Sequence, residues 1–305
     1  MSEPLSTDRE PSPAPPELPI RLPHKLFRSP TLGFGLVRVF LYITLLIAIT
    51  AVLFWSARPL LSGESKFAPK NLLTTESIGL CASLGAAFIM SRLEKRPFAD
   101  YGLPGRQAFG KLFWIGAAFG LFEISAVIGG MAALGAYHFG TLAIHGSELL
   151  RWAIFWGFFF CLVGLSEEFS FRGYPQFTLA QGMGFWPAAV LLSLAFGGVH
   201  ISNKGENWVG IAGVVLTGLF WCFTLRRTGT LWFAVGMHAA FDFGETFLYS
   251  VPDSGYLFPG HLSNSILSGP AWITGGSAGP EASVFDFVVL VLFFHFFSRL
   301  YPSRG

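Results

Sequence analysis

Residues Trp152–Gln176 read WAIFWGFFFCLVGLSEEFSFRGYPQ, an apolar run that ends in two adjacent acids and an arginine. Such a run is typical of a helix that crosses a membrane. A carboxylate at membrane depth costs about 2.5–3.5 kcal/mol on insertion scales, so an acid kept there is a candidate for function. Glu167, Glu168 and Arg172 are therefore candidate site residues. Arg172 follows Glu168 by one helical turn, within reach of an ion pair, and could equally bind Glu167 through its forked donors.

The composition of the whole chain agrees with a membrane setting. Of the 305 residues, 52% are hydrophobic and only 12% are charged, and the mean hydropathy is +0.55. Soluble domains carry about 25% charged residues. The net charge of +2, with no basic run interleaved with aromatic residues, argues against a nucleic-acid partner. The three cysteines stand singly in apolar stretches, which argues against a disulfide framework or a cysteine metal site.

Eight stretches are apolar enough to be membrane spans, since about 20 mostly apolar residues cross the hydrocarbon core as a helix. The second and the fifth are short and need flanking residues to reach across. This pattern predicts an all-α fold, a polytopic membrane helix bundle of about eight transmembrane helices. The stretches are Val39–Ala57, Ser77–Met90, Leu112–Gly135, Trp152–Glu167, Phe185–Val199, Val209–Leu225, Leu231–Tyr249 and Val284–Ser298.

The chain divides into a tail and a membrane domain. Residues 1–30 are rich in Pro and Ser and lack apolar periodicity, which predicts a disordered tail, and residues 31–305 form the integral membrane domain. Lysine and arginine concentrate on the side of the tail, and the loop Ser250–Ser283 contains neither. The positive-inside rule then places both termini in the cytoplasm of a multi-pass protein.

Two further polar pairs follow the acidic motif on separate apolar stretches. Phe196 lies one helical turn before His200, and His238 lies one turn before Asp242. An acid, a base and a polar pair on three successive spans suggest an active site inside the membrane. Glu123, in the middle of the third span, belongs to no motif, and Glu76 near a helix end needs no function.

The order Glu-Glu-x-x-x-Arg, Phe-x-x-x-His, His-x-x-x-Asp on successive membrane helices resembles the CPBP intramembrane proteases. This is the CAAX-protease and bacteriocin-processing family, also called Abi, which includes the Ras-converting CAAX endopeptidase. The resemblance covers about residues 152–249, the protease motif region of the membrane domain. Motifs of other intramembrane proteases, such as His-Glu-x-x-His, are missing from the sequence.

The resemblance implies peptide-bond hydrolysis by a water molecule that Glu167 activates with help from His200. Glu168 and Arg172 belong to the same catalytic set, and His238 with Asp242 would stabilise the oxyanion. The CAAX endopeptidases proper have Asn where this chain has Asp242. Because an ionised Asp only accepts hydrogen bonds, we expect Asp242 to orient His238.

The same residues leave a metal-dependent mechanism open. Glu167, His200 and His238 could offer one oxygen and two nitrogens to zinc, with a fourth position for water. The resemblance favours a glutamate-type mechanism with no required metal, so no cofactor is expected and zinc is the alternative. The expected partners are a peptide or membrane-protein substrate and the lipid bilayer.

Two other classes of function remain as alternatives. A non-proteolytic scaffold or immunity protein would share the fold, and a transporter also places charged residues on its spans, although no inverted repeat is visible here. The favoured location is the plasma membrane of a bacterium. Substrate is expected to arrive from the cytoplasmic side, with the loop Ser250–Ser283 uninvolved.

Overall fold

The computed structural model describes residues 31–61 and 63–303, and the predicted disordered tail, residues 1–30, lies outside them. Almost all regular structure in the described part is helical, which confirms the predicted all-α bundle. The helices are α1 (Leu32–Ala57), α2 (Pro69–Glu94), α3 (Lys111–Ala133), α4 (Ser147–Arg172), α5 (Tyr174–Met183), α6 (Phe185–His200), α7 (Trp208–Thr228), α8 (Trp232–Phe243), α9 (Ala271–Thr274) and α10 (Val284–Leu300). Short 3₁₀ turns cover Phe98–Tyr101, Gly105–Gln107 and Pro280–Ala282, and a π-helical turn, Gly244–Leu248, continues α8.

Five segments of the described chain are long and apolar enough to cross a membrane: α1, α2, α3, α4 joined to α5, and α7. The stretch predicted as short at Ser77–Met90 belongs to α2, which has 26 residues. Its first turns, Pro69–Glu76, are polar enough to hide the beginning of the helix from hydropathy. By contrast, α6 has 16 residues and reaches about 24 Å, less than the hydrocarbon thickness of about 30 Å.

Helix α8 lies in the interior of the bundle, and nearly all of its residues are buried. It packs against α3 so closely that the two backbones touch. A Cβ at Gly120 would lie 2.1 Å from the carbonyl oxygen of Met237, and one at Gly236 would lie 2.0 Å from that of Phe113. Glycines at both positions, with Gly116 one turn before Gly120, allow this approach, as small residues do in other membrane helix pairs. The packing fixes the position of α8, which carries His238 and Asp242.

Helix α5 was not predicted as a separate element, and it decides where α6 begins. Only Gly173 separates it from α4, so the two helices together run from Ser147 to Met183, 37 residues. Helix α6 therefore starts well past the end of α4 and returns along it. Phe196 then packs against Phe171 at 5.1 Å between ring centres, and His200, one turn later, reaches the level of Glu168. A short span can thus bring its last residue to the acidic motif.

The loops between α1 and α2, α3 and α4, α6 and α7, and α8 and α10 meet at one end of the bundle, which we call the distal end. Strand β1 (Tyr137–His138) pairs antiparallel with β2 (Ile266–Leu267) there. Phe67 packs against Tyr256 and Phe258, and the carbonyl of Gly205 accepts a hydrogen bond of 2.6 Å from Ser277 Oγ. The segment 249–283, which we call the distal segment, therefore covers the distal end of the helices.

Candidate active site

His238 lies where the predicted site residues of α4 and α8 meet. Its Nδ1 is 3.2 Å from Glu168 Oε1, and its Nε2 is 3.3 Å from Asp242 Oδ2 and 3.8 Å from Glu167 Oε2. Trp221 stacks on the imidazole with 4.4 Å between ring centres and an interplanar angle of 17°. Three carboxylates and an indole therefore hold this ring in one orientation.

Glu168 and Arg172 form a buried ion pair, as their spacing predicted. Arg172 Nη1 donates to Glu168 Oε1 at 3.1 Å, and both side chains are fully buried. The guanidinium lies over the Phe196 ring at 4.1 Å and near Trp221 at 5.3 Å, contacts that favour a cation. Gly218 leaves the room for it, because a Cβ there would lie 2.3 Å from Arg172 Nη2.

The two adjacent acids differ in exposure. The Glu168 side chain is completely buried and bound to both Arg172 and His238, whereas the Glu167 side chain is 33% exposed. A carboxylate that already accepts from two fixed partners is poorly placed to take a proton from a substrate water. Of the two acids, Glu167 has the accessible carboxylate, a distinction that the sequence Glu-Glu does not make.

His200 has one ring nitrogen engaged and the other available. Its Nδ1 lies 2.8 Å from the carbonyl oxygen of Phe196, so this nitrogen is the donor and Nε2 is left as the acceptor of the neutral ring. The Phe196 ring packs on the imidazole with 4.8 Å between centres. The spacing Phe196-x-x-x-His200 thus both positions the ring and fixes its tautomer.

A cavity of about 40 Å³ brings His200, His238 and Asp242 to one space. At about 10–15 Å³ for each water, it holds a few water molecules. Glu123, Ser254, Glu281 and Asp286 also line it, together with Phe196, Val214, Thr217, Trp221 and Phe241. Glu167 does not line this cavity; its carboxylate lies 3.8 Å from the Nε2 of His238, which does.

The loop Ser250–Ser283, expected to be uninvolved in substrate entry, contributes residues to the cavity. Ser254 and Glu281 belong to that segment and line the cavity beside His200. The reason is the turn at the end of α8, after which the chain folds back over the distal end of the bundle. Residues of α6 and of this segment therefore line the cavity together. Because they are far apart in the sequence, the sequence did not predict that they meet.

Two acidic residues outside the motifs also belong to the surroundings of the site. Glu123 on α3 is 2% exposed and faces the cavity. Glu76 on α2 lies close to Ser166 and within electrostatic range of Glu167, His238 and Asp242. No motif marks either residue, because each comes from a helix that the tertiary packing alone places beside α4 and α8.

The carboxylates of the distal segment have shifted pKa values. Burial raises the pKa of Glu281 to about 7, and the nearby Glu206 carboxylate adds to the shift. Burial also raises the pKa of Asp253 well above its usual value, with contributions from Asp242 and Glu281. These groups share a region rich in negative charge.

The three residues named for zinc are not gathered around one point in the described arrangement. The Nδ1 of His238 faces Glu168, and its Nε2 lies 3.8 Å from the proposed co-ligand Glu167. Glu167, His200 and His238 are also not among the described side chains whose ligand atoms all lie within 4.8 Å of one another. Zinc ligands at about 2.0–2.2 Å from the metal must lie closer together than that.

Residues 148–244 match the family model described as Type II CAAX prenyl endopeptidase Rce1-like. The match spans all three motifs and covers about a third of the chain, and it confirms the predicted similarity to the CPBP or CAAX-protease family. It supports an integral membrane protein with intramembrane protease activity in general. No curated protein matches the chain.

Proposed function

We propose that this chain, similar over residues 148–244 to type II CAAX prenyl endopeptidases, is an intramembrane endopeptidase with Glu167 as its general base. The observation that carries the assignment is the contrast within the Glu-Glu pair. Glu168 is buried and its Oε1 is contacted by both Arg172 and His238, while Glu167 keeps an accessible carboxylate 3.8 Å from His238. That distance is longer than a direct hydrogen bond and suits a bridging water.

In the proposed reaction, Glu167 takes a proton from water as the oxygen attacks the substrate carbonyl carbon. His200, whose Nε2 is the free nitrogen, helps to hold this water. As the tetrahedral intermediate forms, the Nε2–H of His238 donates a hydrogen bond to the oxyanion and keeps its proton, and Asp242, 3.3 Å from Nε2, orients the ring. Glu167 then returns its proton to the leaving amine as the C–N bond breaks. Glu168 and Arg172 are positioning residues, which act through His238 and Phe196.

The central test compares two neighbouring variants. Glu167→Gln should lower peptide turnover by about 10²–10⁴-fold, because it removes the base while keeping the size of the side chain. Its melting temperature should stay near that of the unmodified protein, since the side chain is partly exposed. Glu168→Gln should instead lower the melting temperature, because it leaves Arg172 and His238 without their shared carboxylate.

Cleavage of a fluorogenic peptide library in detergent, together with thermal unfolding, measures both effects. Unchanged turnover in Glu167→Gln rejects the glutamate mechanism. A folded protein that cleaves no peptide in any assay points to the scaffold or transporter alternatives. Glu148→Gln, an exposed acid in the first turn of α4, is the matched control and should change neither quantity.

In the proposed reaction, no metal takes part in the activation of the attacking water. A chelator-treated and dialysed preparation should keep most of its turnover. One zinc per chain by elemental analysis, with turnover lost on its removal and restored on its return, would establish the metal mechanism instead. This measurement concerns the Glu167, His200 and His238 set, and the variants Glu167→Gln and His200→Ala show whether any zinc that is found depends on them.

The substrate class follows from the setting of the site. We propose a peptide or the tail of a membrane protein, with CAAX-like carboxyl termini as one candidate, in the plasma membrane of a bacterium with both termini in the cytoplasm. The cluster of Lys and Arg on the tail side of the helices supports this orientation. Glu167 is partly exposed and lies near the C-terminal end of α4, away from the distal end of the bundle, which supports access for an extended peptide.

A further inference from the structure

Three carboxylates meet at the distal end of the bundle, next to the cavity but outside the catalytic motifs. Glu245 comes from the π-helical turn that ends α8, Asp253 from the following turn, and Glu281 from the 3₁₀ turn before α10. One oxygen of each lies within 4.8 Å of the others. The grouping thus joins three segments that are up to 36 positions apart in the chain.

Glu245 is the member that lacks any partner of its own. Its side chain is completely buried, and neither of its oxygens has a hydrogen-bond partner among the described residues. The other two accept hydrogen bonds. Thr246 Oγ1 donates to Asp253 Oδ2 at 2.8 Å, and Ser254 donates to Glu281 Oε1 from its N–H at 2.9 Å and from its Oγ at 3.1 Å, with Oε2 3.4 Å from the same Oγ. A buried carboxylate without donors is costly, so this one calls for a proton or a cation.

The surroundings supply negative charge and little to balance it. Glu206, Asp242 and Asp286 add their fields to one or more of the three carboxylates. The segment Ser250–Ser283 contains no Lys or Arg, and none of the three carboxylates takes part in an ion pair among the described residues. The imidazoles of His200 and His238 are the basic groups within electrostatic range.

The backbone approaches this cluster at a glycine that no other residue could replace. Gly279 has φ 115°, and a Cβ there would lie 2.2 Å from the Pro252 carbonyl oxygen and 3.4 Å from Glu245 Oε1. The two loop segments that carry Asp253 and Glu281 are thereby brought against Glu245. The carboxylates converge because the chain is folded tightly around them.

We propose that Glu245, Asp253 and Glu281 bind a hard divalent cation, for which Ca²⁺ is the best fit. Calcium takes oxygen ligands at about 2.3–2.6 Å, so two oxygens on one ion lie no more than about 5 Å apart, as these do. The all-oxygen set disfavours zinc and copper, which prefer nitrogen and sulfur. The ion would join the segment that carries Ser254 and Glu281 to the end of α8, three residues after Asp242.

The test uses the full-length protein in detergent, freed of metals by chelation. Equilibrium dialysis against ⁴⁵Ca²⁺ should show one bound ion per chain, and CaCl₂ should raise the melting temperature by about 5 °C at 100 times the dissociation constant. Glu245→Gln and the triple variant Glu245→Gln, Asp253→Asn, Glu281→Gln should lose the bound ion and the calcium-dependent shift. Glu148→Gln should keep both.

Several results would overturn the proposal. They are the absence of bound Ca²⁺ on the unmodified protein, binding that is unchanged in the triple variant, and binding of Zn²⁺ but not of Ca²⁺ or Mg²⁺. If the triple variant does not fold, ⁴⁵Ca²⁺ binding by the unmodified protein and by Glu245→Gln decides. These readouts involve no peptide cleavage, so they stand whether or not the chain is a protease.

Discussion

At the scale of single residues, the site depends on how each charge is compensated. His238 is surrounded by Glu167, Glu168 and Asp242. Among these acids, Arg172 forms an ion pair with Glu168. The three acids differ: Glu168 Oε1 contacts two partners, Asp242 lies 3.3 Å from the imidazole Nε2, and the Glu167 carboxylate stays accessible. A difference in exposure, rather than in chemistry, separates the positioning acid from the proposed base.

Arg172→Ala should destabilise the protein strongly. It removes the buried partner of Glu168 and the cation that packs between Phe196 and Trp221. Breaking a buried pair from one side costs about 3–5 kcal/mol. Denaturant or thermal unfolding in detergent measures the loss, and the exposed Arg106→Ala is the control. Equal stability of the two variants would show that the ion pair is dispensable.

Glu281 gives the chelated protein a pH-dependent stability. Its pKa of about 7 in the folded state lies above the ordinary value of 4.5. A raised carboxyl pKa contributes stability that is fully present below the ordinary value and is lost as the pH rises through the folded value. The melting temperature in chelator should therefore fall between pH 4.5 and pH 7. Thermal scans across this range check it. Glu281→Gln should reduce the slope, with the raised pKa of Asp253 keeping part of it, and an unchanged slope in that variant would assign the whole effect to other groups.

At the scale of helices, the contact between α3 and α8 sets the position of His238. Gly120→Ala would place a methyl group 2.1 Å from the Met237 carbonyl oxygen, so α8 must shift. Overpacking of this kind costs about 1–3 kcal/mol, and moving His238 away from Glu168 should also reduce turnover. Gly129→Ala on the same helix meets no atom within 4 Å and is the matched control. Equal turnover and stability in both variants would show that this close contact does not matter.

At the scale of the whole molecule, the arrangement of loops predicts a sidedness that labelling can measure. In a cysteine-free background, Gln107→Cys lies in the exposed loop between α2 and α3, and Ser65→Cys lies in the exposed loop between α1 and α2. A membrane-impermeant maleimide should label Ser65→Cys in intact cells and Gln107→Cys only after lysis. The reverse pattern would invert the orientation and place the distal segment in the cytoplasm.

The sequence alone determined the all-α membrane bundle, because hydropathy acts along the chain and each span carries its own signal. It also placed Phe196 beside His200 and made the pairing of Glu168 with Arg172 possible, since residues four apart on a helix share a face; only the structure chose Glu168 over Glu167 as the partner of Arg172. The similarity to the CAAX-protease family followed from three motifs in order, and the matched residues 148–244 bear it out.

The tertiary structure alone decided which residues from different helices share the site. Helix α5 sets the level of α6, glycines set the approach of α3 to α8, and the segment after α8 brings Ser254 and Glu281 to the cavity. Glu76, Glu123 and Glu245 look alike in the sequence, as single acids in or near apolar stretches. Their separate surroundings arise from packing between distant segments, and a pattern that repeats every helical turn carries no information about those contacts.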